Sequence, residues 1–265
     1  MPHLGFSATC MTMRHLLPLS LPCLVLTLTY CASERQNHSA ISRETLQYAA
    51  AQNLLDVRQS IPDVVCDLRY TTRENITRQV LYPAEMPCLL NAVTMEKLRI
   101  AQATLRTQGY GLKIWDAWRP PEVQLALFDH GGYTGMFTDP RIMWSRHCSG
   151  TAVDVTLVDL DGRELKMPTK HDAGGPQCHY LAIIKDDDVR QRRHALQMAM
   201  LTAGFSILDN EWWHFDDADF NNSPVPPVAF ARDLGIPLPT VQGPRYRRPA
   251  PAWQPTNFTG SKANS

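Results

Sequence analysis

The chain has 265 residues, of which 44% are hydrophobic and 20% are charged, and its formal net charge is zero. This length allows one sizeable domain with its own core, or two small domains. Nucleic-acid binders carry a surplus of basic residues, and this chain has none, so we expect no nucleic acid among its partners.

The first predicted element is an apolar segment, 16–30, which follows Arg14 and precedes small residues at 31–33. A basic start, an apolar centre and a small-residue end are typical of a secretory signal peptide. We therefore predict a signal peptide or N-terminal anchor over residues 1–33 and an exported, periplasmic protein. One alternative is a form that stays anchored in the membrane by this segment. A second alternative is a lipoprotein lipidated at Cys31, but the bulky Tyr30 before this cysteine argues against it.

Helices and strands follow between residues 34 and 221. Apolar residues at helical spacing predict helices over 43–53, from an N-cap at Thr94 to a stop at Gly109, over 121–129 and over 189–203. Strand patterns occur over 64–70, 112–118 and 152–157, and a closing hairpin is predicted from 205–208 and 211–215. These hairpins and helices show no regular βαβ alternation, which favours an α+β fold.

Prolines dominate from Asn222 onwards, so we predict that residues 222–265 form a Pro-rich tail that wraps the surface or is disordered. Four cysteines lie outside the signal region, at positions 66, 88, 148 and 178. In an exported protein they permit up to two disulfides, and the sequence does not select among the possible pairings.

Two short segments carry residues suited to metal chemistry: S-R-H-C-S-G-T-A-V-D over 145–154 and E-W-W-H over 211–214. Zinc in catalytic sites binds imidazole nitrogens and carboxylate oxygens and keeps one tetrahedral position open. His147, Asp154 and His214 supply such a set for one Zn²⁺ per chain. Gly150 permits the tight turn that His147 and Asp154 need in order to face the same ion.

A general base and a fixed cation complete the predicted site. Glu211 lies three residues before His214 and is the candidate base, which takes a proton from water and delivers it to the leaving amine. Attack on an amide builds negative charge on the carbonyl oxygen, and a fixed cation stabilises it. Arg119, at the end of the strand pattern L-K-I-W-D-A-W-R-P, is the candidate for that role.

The pattern S-R-H-x-x-G-x-A-x-D followed by E-W-W-H resembles the signature of the D-alanyl-D-alanine dipeptidase family, the VanX type of zinc D,D-peptidase. The resemblance extends over roughly residues 60–216 and includes D-L-R-Y-T-T-x-x-N at 67–75 and G-L-K-I-W-D-A-W-R-P at 111–120. It implies the zinc ligands and base named above, with Arg119 at the scissile carbonyl. It also implies an α+β, D,D-peptidase/Hedgehog-like fold, in which a small, mostly antiparallel sheet flanked by helices carries the zinc.

The resemblance extends to two substrate-binding residues. Ser145 matches a serine beside the substrate, and Asp172 matches an aspartate that meets the substrate's free amino group. The stretch around Asp172 departs from the family, with Pro168 in place of a glycine and His171 in place of a phenylalanine. We interpret the further histidines at 130, 171, 179 and 194 as structural or exposed rather than as ligands. Cys148 is a further departure, and it is interpreted as a small half-buried side chain, a partner of Cys178 or a spare metal ligand.

The predicted function is hydrolysis of D-Ala-D-Ala, a small dipeptide substrate, in cell-wall turnover or recycling, by a zinc domain over residues 34–221. The alternative is a D,D-carboxypeptidase or endopeptidase that acts on peptidoglycan stem peptides. An acid at position 172 that captures a free ammonium favours the dipeptide. A non-enzymatic relative ranks last, because it would be expected to lack Glu211 or Arg119. The sequence does not predict an oligomeric state.

Overall fold

A computed structural model describes residues 42–131, 134–222 and 225–241. The helices in these ranges are α1 Arg43–Ala51, α2 Val57–Ser60, α3 Ala92–Thr107, α4 Pro121–Gly131 and α5 Asp187–Thr202. The strands are β1 Leu54–Asp56, β2 Val65–Cys66, β3 Leu89–Asn91, β4 Gly111–Asp116, β5 Ala152–Val158, β6 Phe205–Leu208 and β7 Glu211–Asp217. The predicted signal segment, 1–33, lies outside the described residues. No described helix has the length and apolar character needed to cross a membrane.

The main sheet has five strands in the order β2-β4-β5-β7-β6. Strands β4, β5, β7 and β6 pair antiparallel, and β2 joins β4 in parallel. This confirms the predicted α+β fold with a small, mostly antiparallel sheet. A second sheet, in which β1 pairs antiparallel with β3, was not predicted, because strands of three residues are too short to show a clear alternation.

The ends of two predicted elements are wrong. Helix α3 begins at Ala92, where the Asn91 side chain accepts the Val93 amide, whereas Thr94 is buried inside the first turn and donates its hydroxyl to Asp217. The strand predicted over 64–70 is only Val65–Cys66, and the chain then turns into a 3-10 helix at Arg69–Thr71. At the start of α3, the contact with the distant Asp217 replaces the local preference of Thr94 for an N-cap.

The core places the candidate site on one face of the main sheet. Helices α3 and α5 pack on each other and contribute Leu98 and Met200 to the same core as Val153 and Val155 of β5. Successive residues of a strand point to opposite faces. Asp154, which lies between these two valines, is therefore directed to the other face of the sheet.

Part of the predicted Pro-rich tail packs on the domain. Over residues 225–241, Ala231 and Leu234 are buried, and a 3-10 helix spans Ala231–Leu234. The Ala231 amide donates to the Glu122 carboxylate at 3.2 Å, and the Val228 amide donates to the carbonyl of Cys148 at 3.2 Å. This segment therefore covers the start of α4 and the turn that carries His147, while residues 242–265 lie outside the described ranges.

The four described cysteines, at 66, 88, 148 and 178, are free thiols. Cys148 is fully buried rather than half-buried, and burial raises the pKa of its thiol to about 12. A protonated thiol is a poor metal ligand, because the thiolate is the form that binds metals. Cys148 therefore packs as a small apolar side chain next to the candidate site.

Candidate metal and catalytic site

The three predicted ligands come from two neighbouring strands and the turn before them. Asp154 of β5 and His214 of β7 are direct cross-strand partners. His147 lies in a 3-10 turn, Arg146–Ser149, which ends at Gly150 with a φ of 70°. A Cβ atom at position 150 would lie 2.6 Å from Leu54 Cδ2 and 2.9 Å from the Asn91 amide nitrogen. Gly150 is therefore required both by its left-handed backbone and by the close approach of the chain.

Three ligand atoms converge on one point. Asp154 Oδ1 lies 2.9 Å from His214 Nδ1 and 3.3 Å from His147 Nε2, and the two ring nitrogens are 3.2 Å apart. All three residues are buried, and together they form a group able to hold a metal ion.

The outer ring nitrogen of each histidine fixes its tautomer. His147 Nδ1 is 2.8 Å from the carbonyl of Ala117, which can only accept, so Nδ1 carries the proton. His214 Nε2 is 3.0 Å from Asp216 Oδ1 and donates to that carboxylate. In the neutral rings, His147 Nε2 and His214 Nδ1 therefore present lone pairs to each other and to Asp154. Three acceptors without a donor between them repel one another unless a metal cation or a proton lies among them. Against the lowering effect of burial, the carboxylates of Asp216 and Asp154 raise the pKa of His214 well above its usual value.

These residues fit zinc. For zinc–ligand bonds of about 2.0–2.1 Å, the edges of a tetrahedron are about 3.3 Å long. The three observed edges of 2.9, 3.2 and 3.3 Å are close to this value. The outer partners Ala117 and Asp216 orient the imidazoles, as such partners commonly do for metal-binding histidines. Two nitrogens and one oxygen leave a fourth position for water or substrate.

Glu211 reaches the same site through an irregularity in β7. Residues three apart on a regular strand point to opposite faces, which would separate Glu211 from His214. However, Ile207 and Leu208 are consecutive on β6, whereas their partners on β7 are Phe215 and Glu211, so residues 212–214 bulge out of the β6–β7 ladder. Within this bulge, His214 stays paired with Asp154 of β5. A bulge of this kind re-aims side chains. The E-W-W-H motif thereby brings the base and a ligand to the same side.

The environment of Glu211 suits a general base. The residue is 7% exposed, and its Oε1 atom is buried without a hydrogen-bond partner. Burial raises the pKa of Glu211 to about 7, against a lowering contribution from His214. A carboxylate with a pKa near neutrality can both accept and return a proton. Its unpartnered oxygen indicates a ligand or water that it contacts during function.

Arg119 is held rigidly beside the ligands. Its Nε donates to Asp116 Oδ2 at 2.8 Å and its Nη1 to Gln124 Oε1 at 2.7 Å. Its Nη2 lies 3.6 Å from Asp154 Oδ2. The Arg119 amide also donates to the carbonyl of His147 at 3.0 Å, which ties the strand end to the ligand turn. Nη2 is thus the part of the guanidinium directed towards the metal ligands.

Asp172 and Ser145 are held near this centre. Asp172 is 8% exposed, has a φ of 54°, and its Oδ2 accepts the Tyr70 hydroxyl at 3.0 Å. Burial raises the pKa of Tyr70 well above its ordinary value, so the phenol remains a donor. A left-handed aspartate is a strained conformation of the kind found at functional sites. Ser145 caps the His147 turn, where its hydroxyl accepts the His147 amide at 3.4 Å.

All seven sequence-predicted site residues line one cavity of about 170 Å³. They are Arg119, Ser145, His147, Asp154, Asp172, Glu211 and His214. This cavity is smaller than the roughly 300–1,000 Å³ typical of sites for drug-sized ligands. Its size suits a ligand of very few residues.

Several residues of the site were not found from sequence. Asp116 and Gln124 position Arg119, Tyr70 holds Asp172, and Asp216 orients His214. Asp116 and Asp216 each lie close in sequence to a predicted site residue, which is a signal that could have found them. Gln124 lies five positions after Arg119, and Tyr70 lies in the stretch 67–75 that carries the resemblance. Their partners, Arg119 and Asp172, became known only from the folded structure.

The other histidines do not join the metal group in the described part of the chain. His179 and His194 are exposed, and His130 bonds to the carbonyl of Ala126, 2.8 Å from its Nδ1. His171 is not exposed but buried, and its Nε2 is 3.1 Å from Asp154 Oδ2. It therefore contacts a ligand without being one.

Comparison of the sequence with known proteins identifies a family and several relatives. Residues 50–226, more than half of the chain, match the sequence model of a peptidase family described as D-ala-D-ala dipeptidase. The D-alanyl-D-alanine dipeptidase of Escherichia coli K12 is 29% identical over 163 residues, which are 62% of this chain and 83% of that protein. The Enterococcus faecium protein of the same name is 29% identical over 168 residues, 56% of this chain and 83% of that protein. The Enterococcus faecalis V583 protein of that name is 26% identical over 190 residues, 62% of this chain and 89% of its own length.

Proposed function

The chain belongs to the D-ala-D-ala dipeptidase family, and from this we propose that it is a zinc peptidase that hydrolyses D-Ala-D-Ala to D-alanine. The observation that carries the proposal is the triangle of three acceptor atoms from His147, Asp154 and His214 beside the unpartnered Glu211 carboxylate. A zinc ion held by these atoms supplies a Lewis acid that polarises the amide carbonyl and activates water. One ion per chain is expected.

Glu211 handles the proton. In its ionised form it removes a proton from the attacking water, and it then delivers this proton to the nitrogen of the leaving D-alanine. Because its Oε1 is buried without a partner, the carboxylate does not have to break a hydrogen bond before it reacts. Burial raises the pKa of Glu211 to about 7 in the metal-free protein, and a cation nearby would favour the ionised form that accepts the proton.

Arg119 and Asp172 act on two different groups of the substrate, the scissile carbonyl and the free ammonium group. The Arg119 Nη2 group faces the ligands and stabilises the negative charge that develops on the carbonyl oxygen. Asp172 pairs with the free ammonium group of the dipeptide, which restricts the cavity to substrates without an N-terminal extension. Ser145 lies at the cavity wall, where it supports the His147 turn and is available to the substrate.

One observation favours the alternative of longer substrates. A second cavity, of about 690 Å³, shares Met136 and Asp172 with the first and carries Arg73, Arg78 and Lys170 in its lining. A stem peptide that passed Asp172 would enter this space. However, the Asp172 carboxylate has no ammonium partner in that case, so the dipeptide is the better fit.

The test is D-alanine release by purified protein from D-Ala-D-Ala, from N-acetyl-D-Ala-D-Ala and from a stem pentapeptide. We expect release from the free dipeptide, loss of this activity with a chelator or in Glu211→Ala, and recovery from the chelator on addition of zinc. Hydrolysis of the blocked or longer peptides in preference to the dipeptide would establish the alternative. No hydrolysis of any of them by folded, zinc-loaded protein would contradict both.

We also propose that the protein is exported to the periplasm. This proposal is supported by the apolar segment 16–30, which has the pattern of a signal peptide. Fractionation of cells that express the full chain tests this. Processed protein in the periplasmic fraction is expected, whereas unprocessed protein in the membrane fraction would indicate an anchor.

A further inference from the structure

His171 lies between Asp154 of the candidate metal site and the carboxylate of Asp172, the residue proposed to bind the substrate. Its Nε2 is 3.1 Å from Asp154 Oδ2 and 3.5 Å from Asp172 Oδ1. The imidazole is 6% exposed and is packed against the rings of Tyr70, Trp115 and Trp213, with centroid distances of 5.4, 5.6 and 6.0 Å. If neither ring nitrogen had a partner, a histidine among aromatic rings would contribute only to packing. Here, however, one ring nitrogen faces two carboxylates.

The donor atom on this ring is defined by its neighbours. His171 Nδ1 is buried and has no hydrogen-bond partner, whereas Nε2 faces only acceptors. The proton is therefore placed on Nε2, from which it is donated to Asp154 Oδ2, with Asp172 Oδ1 as the more distant second acceptor.

Because of the His171–Asp154 hydrogen bond, the two carboxylate oxygens of Asp154 have different partners. Oδ1 faces His147 Nε2 and His214 Nδ1, where the metal is expected. Oδ2 is turned away from them and is held by His171 at 3.1 Å and by Arg119 Nη2 at 3.6 Å. A carboxylate without such a partner on its second oxygen can rotate and present both oxygens to a metal. That would occupy the position needed by water or the scissile carbonyl.

We propose that His171 is a positioning residue that holds Asp154 Oδ2 by a hydrogen bond and so leaves Oδ1 as the single oxygen available to the metal. The proposal rests on the zinc peptidase function proposed above. The family stretch that this segment resembles has phenylalanine here, which has the shape to pack among the same rings but cannot donate a hydrogen bond. The proposed hydrogen bond to Asp154 therefore depends on the histidine that this chain has at position 171.

The experiment compares four variants of the full protein by zinc affinity, measured through competition with a chromophoric chelator. His171→Phe keeps a planar ring but has no hydrogen-bond donor. In His171→Asn the side chain is shorter, so its amide group does not reach the Asp154 carboxylate. We expect each to weaken zinc binding about 10–100-fold. In His171→Gln the longer side chain carries an N–H to the position of Nε2, and we expect affinity within about 3-fold of the parent protein. His194→Phe, the same exchange at an exposed position of α5, is the matched control and is expected to change nothing.

A purely structural role is distinguished by the pair of amides. Loss of packing would affect Asn and Gln alike, so equal zinc affinity in these two variants would overturn the proposal even if His171→Phe does not fold. Parent-like affinity in His171→Phe would also overturn it. If the parent protein itself bound no zinc, the metal site of the proposed function would fail first. If it bound zinc and released D-alanine but the His171 variants matched it, only the role of His171 would be refuted.

Discussion

Replacement of Glu211 by glutamine is expected to abolish activity and to stabilise the fold at alkaline pH. The glutamine keeps the size of the side chain but cannot accept and return a proton. General acid–base catalysis contributes about 10²–10⁴-fold to rate, so kcat should fall by at least about 100-fold. Because His147, Asp154 and His214 are unchanged, zinc should still bind.

The stability effect follows from the raised pKa. Burial raises the pKa of Glu211 to about 7, above the ordinary value of 4.5, so the folded state holds the proton more tightly than the unfolded state. The contribution of this residue is then fully present below about pH 4.5 and is lost as pH rises through 7. Each pKa unit corresponds to about 1.4 kcal/mol, so the ionised carboxylate costs the metal-free protein about 3 kcal/mol above pH 8.

Thermal unfolding of the chelated proteins at pH 5 and pH 8.5 measures this cost. The advantage of Glu211→Gln over the parent protein should grow by about 2–3 kcal/mol across this range, or roughly 5–10 °C in Tm. Zinc should reduce the difference, because a nearby cation favours the carboxylate. Glu85→Gln, the same exchange at an exposed position, should show no such trend. A difference that does not vary with pH, or a variant that keeps most of its activity, would refute the reasoning.

Three further substitutions test the site and its turn. Arg119→Lys keeps a charge but loses the fork held by Asp116 and Gln124, so steady-state kinetics should show a kcat about 100-fold lower; an unchanged kcat would exclude the stabilising role. Asp172→Asn should lower the ratio of kcat/KM for D-Ala-D-Ala to kcat/KM for N-acetyl-D-Ala-D-Ala at least about 10-fold, and an unchanged preference for the free dipeptide would contradict ammonium pairing. Gly150→Ala should lower the free energy of unfolding by about 2–4 kcal/mol in denaturant titrations, since its Cβ meets Leu54 at 2.6 Å. At Gly109 (φ 83°), where nothing lies within 4 Å of such a Cβ, the same change should cost only about 1 kcal/mol, and equal losses at both glycines would show that the contact is not the cause.

The sequence, through its short motifs and their resemblance to a known family, predicted the candidate metal-binding set and the class of fold. His147, Gly150 and Asp154 lie within eight consecutive residues, and Glu211 and His214 within four, so one turn and one strand place each group. Such short spacings keep the members of each group close in space, although their orientation still depends on the rest of the chain. The four described helices of nine or more residues were likewise predicted, because an amphipathic period over that length is a strong local signal, whereas the four-residue helix Val57–Ser60 was not.

Only the tertiary structure decided how these groups meet and what supports them. The bulge in β7 that turns Glu211 towards His214, and the Asn91 cap in place of Thr94, depend on pairing with β6 and on the partner Asp217. Tyr70 reaches Asp172 across 102 positions, which no local pattern encodes. His171 was expected to be structural or exposed, and it became a donor to Asp154 only because folding buried it between two carboxylates. Burial and long-range pairing are properties of the packed chain, and they set the pKa values and the orientations on which the chemistry depends.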